Sequence, residues 1–139
     1  VTAFSKAIEA RDIVAAAKLC HPSHLRRVAV KALEVYEEFP FLAEKIFAVM
    51  DGVKSIDALK ARSAREVYIG FKRASQSRKG GPRTVSNGLQ IGYFDLGEGK
   101  QVAVFESLTT DKITWGRIYW LADEGGELLI ENVINTDKP

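Results

Sequence analysis

The fold is decided by residues 101–121, which read QVAVFESLTTDKITWGRIYWL. Apolar side chains alternate with polar or small ones on both sides of Asp111-Lys112, which is typical of two half-buried strands joined by a tight turn. The same pattern predicts four strands in all, over residues 84–94, 101–109, 113–122 and 127–135. Their connections are short, whereas parallel neighbours would need crossovers of about a dozen residues, so the strands are predicted to form an antiparallel meander.

The first 78 residues instead repeat apolar side chains at spacings of three and four, which predicts helices. Asp12, Ser23 and Ser55 stand at positions that favour helix N-caps, and a single last helix is predicted from Ser55 to about residue 74. Helices followed by an antiparallel meander define an α+β class. We therefore expect N-terminal helices packed on one face of a curved four-stranded sheet.

Length and composition predict one domain over residues 1–139, with a helical part over 1–78, a loop over 79–83 and the meander over 84–136. The chain has 139 residues, of which 46% are hydrophobic and 27% charged, and its net charge is +2. This composition excludes a mainly disordered chain, and charges interrupt every apolar run well before the roughly 18 residues of a membrane span. A cytoplasmic protein is expected, or a secreted or periplasmic one if a leader preceded Val1.

Two segments carry a resemblance to a known family. Residues 4–22, FSKAIEARDIVAAAKLCHP, resemble the opening helices of nuclear-transport-factor-2-like (SnoaL-like, cystatin-like) domains, and residues 125–133, GGELLIENV, resemble their last strand. The resemblance implies a cone of helices and sheet around an apolar cavity, often in a homodimer formed through the sheet. Members range from isomerases and hydrolases to non-catalytic modules. Residues 40–78 are more helical than the family's usual middle, and no catalytic motif of a named member can be placed on this chain.

The turn lengths predict which residues of the sheet lie opposite each other. A two-residue turn at 111–112 places Glu106 opposite Arg117 and Val104 opposite Tyr119. An even-length turn through 124–125 then places Asn132 opposite Arg117 and Ile130 opposite Tyr119, whereas an odd-length turn would replace Asn132 with Glu131. A four-residue loop at 96–99 places Leu89 beside Glu106. One face should collect the apolar residues Val85, Leu89, Ile91, Tyr93, Val102, Val104, Leu108, Trp115, Tyr119, Leu121, Leu128, Ile130 and Ile134. The first predicted strand contains Asn87-Gly88, a pair that favours a bulge or bend there. Ser86 is predicted to lie on the opposite face of the sheet.

Glu106, Arg117 and Asn132 form a polar row across the apolar face, and burying either charge without a partner would cost several kcal/mol. One interpretation is a ligand site with this row as its floor and Trp115 and Tyr119 as its walls, suited to an anion or to acid–base chemistry. The other is an internal ion pair that fixes the strand register. Because a carboxylate opposite an arginine is held ionised, the row favours binding over catalysis.

The preferred function is therefore a non-catalytic module that binds a small, partly apolar or anionic ligand, or a protein. The alternative is a cavity enzyme, an isomerase or hydrolase of an apolar small molecule. Such an enzyme would need a further polar group in its cavity, and Tyr36, Asn87, Tyr93 and Asn132 are the candidates. Its catalytic residues are not identified by the sequence.

The remaining predictions concern partners. Phe105, Ile118 and Trp120 on the mixed face of the sheet favour a homodimer formed through that face. No cofactor or metal is predicted, because Cys20 is the only cysteine and Pro22 breaks the helical spacing of His21 and His24. Residues 60–83 hold eight basic residues and one acidic residue, but aromatic side chains for stacking are scarce, so a solvated helix face is favoured over nucleic-acid binding.

Overall fold

Six α-helices followed by a four-stranded antiparallel sheet make up the described part of the chain, which confirms the α+β class. The computed structural model describes residues 1–75, 84–95 and 100–136. The chain divides into two units, Thr2–Lys79 and Gly80–Pro139, called here the helical unit and the sheet unit. The organisation of residues 1–139 as one domain stays a prediction.

Four helices of the helical unit, α2, α3, α5 and α6, begin where a side chain accepts a hydrogen bond from the first turn. They are α1 (Thr2–Glu9), α2 (Ile13–Lys18), α3 (Pro22–Glu38), α4 (Ala43–Val49), α5 (Ile56–Lys60) and α6 (Ala64–Ser75), with a 3₁₀ turn over Pro40–Leu42. The predicted caps of α2 and α5 are confirmed, since the side chains of Asp12 and Ser55 accept hydrogen bonds from the backbone N–H groups of the first turn. The prediction that Ser23 caps α3 is wrong. The cap is His21, because Pro22 occupies the first helical position, where no N–H is needed.

The predicted single helix from Ser55 to about residue 74 is interrupted, which the apolar spacing did not indicate. Ser63 starts α6 with a capping box: its hydroxyl accepts from Glu66 N at 3.2 Å and donates to Glu66 Oε1 at 3.2 Å. Behind these caps, α3 to α6 bury one apolar cluster, whose members are Ala29, Ala32, Tyr36, Ala43, Ile46, Val53, Leu59, Val67 and Ala74. The helical unit therefore has a core of its own.

The sheet unit is a meander in the order β1-β2-β3-β4, as predicted. Its strands are β1 (Thr84–Asp95), β2 (Lys100–Thr110), β3 (Ile113–Glu124) and β4 (Glu127–Thr136). The register of β2 on β3 is the predicted one, with Glu106 opposite Arg117 and Val104 opposite Tyr119. Both turn residues, Asp111 and Lys112, have positive φ values of 50° and 65°. That conformation matches the twist of a two-residue hairpin, which is why the turn fixes the register.

A bulge in β1 changes which side chains reach the Glu106 face. Leu89 lies opposite Glu106 as predicted, but the register shifts between Ser86 and Gly88, where Gly88 has a φ of 134°. Ser86 thereby lies opposite Leu108, on the face that carries Glu106, and its predicted position on the other face is wrong. Val85 is likewise exposed and opposite Thr109 rather than in the apolar face. The extra bulge residue reverses the alternation of every residue before it.

The β3–β4 turn lies one residue later than predicted, at Gly125-Gly126, and a second bulge follows it in β4; together they overturn the predicted register of β4. Glu124 lies opposite Glu127 across the Gly125-Gly126 turn, and Leu121 opposite Ile130, but Trp120 lies opposite Asn132, so Glu131 is the extra residue. Asn132 is therefore not opposite Arg117, and Ile130 is not opposite Tyr119; those positions belong to Asn135 and Val133. Ile134 correspondingly lies opposite Ile118 and is exposed, not part of the apolar face.

A buried thiol lies between α2 and α3. Cys20 Sγ donates to the Ala16 carbonyl at 3.5 Å and lies 3.7 Å from the Tyr68 hydroxyl on α6. Burial raises the pKa of the Cys20 thiol above its ordinary value, and burial also raises the pKa of Tyr68 well above its usual range. Both groups are therefore protonated in the folded chain over the ordinary pH range.

We predict that the free energy of unfolding falls as pH rises from about 8.5 to about 9.5. Above the ordinary thiol pKa of about 8.5 the unfolded chain loses the Cys20 proton while the folded chain retains it, so the slope approaches about 1.4 kcal/mol per pH unit. Urea unfolding across this window measures the slope. Cys20→Ser removes the titrating group and should flatten it; an equal slope in both proteins would contradict the assignment.

Candidate functional site

A row of four residues crosses the sheet at the position of the predicted polar row. Leu89, Glu106, Arg117 and Asn135 lie directly opposite one another on β1, β2, β3 and β4. Residues that lie opposite each other in antiparallel strands share a face, so the row is continuous from one edge of the sheet to the other. Four of the five predicted site residues, Glu106, Arg117, Trp115 and Tyr119, come together in or beside it.

Glu106 is a buried carboxylate, only 2% exposed. The Tyr119 hydroxyl donates to its Oε1 at 2.7 Å, and the Ser86 hydroxyl donates to its Oε2 at 3.0 Å. The predicted pair with Arg117 is present at a longer distance, 3.9 Å from Nη1 to Oε1. Both oxygens of the carboxylate are therefore hydrogen-bonded, which offsets the several kcal/mol that an uncompensated buried charge would cost.

Tyr119 connects the two charges. Its hydroxyl accepts from Arg117 Nη1 at 3.0 Å while it donates to Glu106. A hydroxyl that accepts from a cation becomes a better donor, so the positive charge of Arg117 strengthens the bond that Tyr119 gives to the carboxylate. The hydroxyl of Tyr119 therefore bridges Arg117 and Glu106. The predicted strand register did not indicate this bridge.

Arg117 is held on two sides and reaches solvent on a third. Its Nε donates to Asn135 Oδ1 at 3.0 Å, and its guanidinium carbon lies 5.2 Å from the centre of the Trp115 ring and 5.9 Å from that of Tyr119. The side chain is 18% exposed, and Nη2 makes no hydrogen bond within the described residues. A cation stacked on aromatic rings and fixed at Nε and Nη1 keeps its last edge for an acceptor from outside.

The aromatic partner of Arg117 is fixed as well. Trp115 is buried, and its indole N–H donates to Thr110 Oγ1 at 2.9 Å. The Thr110 hydroxyl lies 2.9 Å from that of Thr84 on β1. These contacts hold the indole ring at one orientation, so the surface on which the guanidinium stacks is rigid.

Asn132, the fifth predicted site residue, is not part of the row. It is exposed opposite Trp120, and its Oδ1 accepts from Val133 N at 2.9 Å. Asn135 takes its place, and Ser86 joins the site from β1; neither was predicted. The Asn87-Gly88 pair was a signal for the bulge that brings Ser86 inward, whereas nothing in the alternation of β4 indicated the bulge at Glu131.

The polar groups considered for a cavity enzyme do not join the row either. Tyr36 is buried in the core of the helical unit. Asn87 is exposed, and its amide donates to Thr109 Oγ1 at 2.8 Å and to Ser107 Oγ at 3.3 Å. The side chain of Tyr93 lies outside the described part of the structure.

Three of the five described basic residues in segment 60–83 have a local partner. Lys60 pairs with Glu37, Arg62 with Glu66, and Lys72 lies over the rings of Tyr68 and Phe71. Arg78, Lys79 and Arg83 lie outside the described residues. The solvated helix face favoured by the sequence for this segment stays a prediction.

The described residues contain neither a metal site nor a membrane-crossing helix. Within the described residues, no group of three or more His, Cys, Asp or Glu side chains is placed to hold a metal ion. None of the described helices combines the length and the apolar character needed to cross a bilayer. Comparison of the chain with protein-family models, curated proteins and solved structures finds no match.

We expect Tyr119→Phe to lower the free energy of unfolding by about 1–3 kcal/mol, because Glu106 Oε1 loses its shortest hydrogen bond while staying buried. Urea denaturation measures the loss. Tyr36→Phe is the matched control: that tyrosine is also buried, but its hydroxyl makes no hydrogen bond within the described residues, so the change should stay within about 0.5 kcal/mol. Equal losses in the two variants would contradict a role for Tyr119 in stabilising the carboxylate.

Proposed function

We propose that the chain is a non-catalytic binding module whose sheet unit takes a small, partly apolar anion, such as a carboxylate, at Arg117. The observation that carries the proposal is the guanidinium itself. It is held by Asn135 and Tyr119, stacked on Trp115, and keeps Nη2 for an external acceptor. A carboxylate would accept a charge-assisted hydrogen bond there without any rearrangement of the arginine.

The apolar part of the ligand is supported by β1. Leu89 occupies the same row as Arg117, and Ile91 lies one row further on the same face, opposite Val104. Both are exposed, Ile91 by 60%. An apolar body of a few carbon atoms could cover such side chains while its charged end reaches the arginine, and the burial would contribute about 25 cal/mol per Å².

The state of Glu106 supports binding over catalysis. A general base must receive a proton from a substrate, but the oxygens of this carboxylate already accept from Tyr119 and Ser86. The cavity enzyme, an isomerase or hydrolase, would need another acid or base in reach. Within the sheet unit, the amide of Asn87 donates to Thr109 and that of Asn132 accepts from Val133 N, so neither joins the row, which favours the binding module.

We also propose that the chain has a nuclear-transport-factor-2-like arrangement. The order of the elements supports it, with helices first and then an antiparallel meander of four strands.

The other face of the sheet supports the predicted homodimer. Phe105, Ile118 and Ile134 lie directly opposite one another on β2, β3 and β4, with Trp120 beside them. Phe105 is 40% exposed and Ile134 43%, so an apolar stripe crosses three strands. Stripes of this kind are typical of isologous interfaces.

Light scattering at micromolar concentration should give the mass of a dimer. Phe105→Glu places a charge in the apolar stripe and should halve that mass, whereas Leu128→Glu, at another exposed apolar position near the β3–β4 turn, should leave it unchanged. A wild-type mass of one chain would overturn the dimer.

The ligand proposal is tested with octanoate and 1-octanol, which share an apolar body and differ in the charged end. Octanoate should quench tryptophan fluorescence saturably and bind about tenfold or more tightly than 1-octanol, because only the carboxylate can bond to Arg117. Arg117→Met should remove this preference while keeping the apolar stem. Arg65→Met, at an exposed arginine of α6, should retain it. Equal affinities for the two probes, or an unchanged preference in Arg117→Met, would overturn the proposal.

A further inference from the structure

The helical unit has a cleft of about 290 Å³ that is separate from the Arg117 row. One wall is formed by Glu66, Gly70 and Arg73 of α6, together with Arg62, which lies just before that helix. The facing wall is the segment of residues 49–51 at the end of α4, and Val14 of α2 completes the lining. The cleft therefore lies within one unit of the chain.

The floor of the cleft is apolar and adaptable. Met50 packs directly over Gly70, where a Cβ atom would lie only 2.4 Å from the methionine Sδ. Val14, Val49 and Ile69 surround this contact. Because methionine is flexible and polarisable, such a floor can adjust to the shape of an apolar group placed on it.

Four charged residues line the cleft, and two of them are already used by the fold. Arg62 Nη1 donates to Glu66 Oε2 at 2.9 Å, and Arg62 Nη2 donates to the Asp51 carbonyl at 3.2 Å. The carboxylate of Asp51 and the guanidinium of Arg73 make no hydrogen bond or ion pair within the described residues, nor do they pair with each other. The lining of the cleft thus includes one anion and one cation that have no ion-pair partner among the described residues.

We propose that this cleft binds a free amino acid with an apolar side chain of about the size of leucine. Arg73 bonds the α-carboxylate, Asp51 bonds the α-ammonium, and the side chain packs on Met50. A ligand that carries both charges completes both pairs at once, whereas a ligand with one charge completes only one. The volume lies at the lower end of the range of roughly 300–1,000 Å³ for small-molecule sites, which suits one amino acid rather than a large cofactor.

The experiment compares L-leucine with two probes that each lack one charge. 4-Methylpentanoate keeps the carboxylate and skeleton without the ammonium, and 3-methylbutan-1-amine keeps the ammonium without the carboxylate. Each is titrated into the full chain labelled with ¹⁵N, and the amide resonances of Val49, Asp51 and Gly70 are followed. L-leucine should shift them saturably, with an affinity at least about tenfold above that of either probe. Shifts confined to the sheet unit, or equal affinities for all three compounds, would overturn the proposal.

Variants of Arg73 and Asp51 test which charge of L-leucine each residue binds. Arg73→Met and Asp51→Asn should each weaken the binding of L-leucine by about tenfold or more. The affinity should fall to that of 3-methylbutan-1-amine in Arg73→Met and to that of 4-methylpentanoate in Asp51→Asn. Arg65→Met, on the same helix but outside the cleft, should bind L-leucine like the wild type. The two substitutions are at exposed positions, so the variants should fold, and their amide spectra report that directly. Unchanged leucine binding in both variants would overturn the site even if octanoate still binds at Arg117.

Discussion

The burial of the Glu106 carboxylate is the constraint on which the sheet unit depends. A charge that is 2% exposed needs donors on both oxygens, and they come from two neighbouring strands: Ser86 on β1 and Tyr119 on β3. Both contacts hold only in one register, because a slip by one residue would turn the donor to the opposite face. The need for a hydrogen-bond donor at each carboxylate oxygen therefore fixes the register of β1, β2 and β3 more strictly than the burial of apolar side chains would.

The two bulges have a common consequence for this site. In β1, the extra residue beside Gly88 brings Ser86 onto the Glu106 face; in β4, the extra residue Glu131 brings Asn135 opposite Arg117. Regular alternation would have placed apolar or distant side chains at both positions. The polar partners of Glu106 and Arg117 on the two edge strands thus depend on irregular pairing, while the central strands pair regularly.

The two charged features of the chain differ in how completely the fold uses them. On the sheet, the carboxylate is fully engaged and only one edge of the guanidinium is available. In the cleft of the helical unit, Arg62 forms an ion pair with Glu66, whereas Asp51 and Arg73 do not pair with each other. Charges that make no pair within the fold do not stabilise it. The proposed binding sites therefore use these groups.

The sequence by itself determined the type and order of the elements and the pairing of β2 with β3. Helical spacing, strand alternation and the Asp111-Lys112 turn are local, and that turn was enough to place Glu106 opposite Arg117. Only the tertiary structure decided that Asn135 rather than Asn132 joins the row. The turn at Gly125-Gly126 shifts β4 by two residues from the predicted register, and the bulge at Glu131 shifts it by one more; the alternation of apolar and polar residues indicated neither change. Only the tertiary structure brought Val14, Met50 and Arg73 around one cleft, since residues far apart in the chain leave no periodic signal of their proximity. Neighbouring residues determine local geometry such as helices, strands and turns. The register of an edge strand and the walls of a cleft depend on contacts between residues that are distant in the sequence.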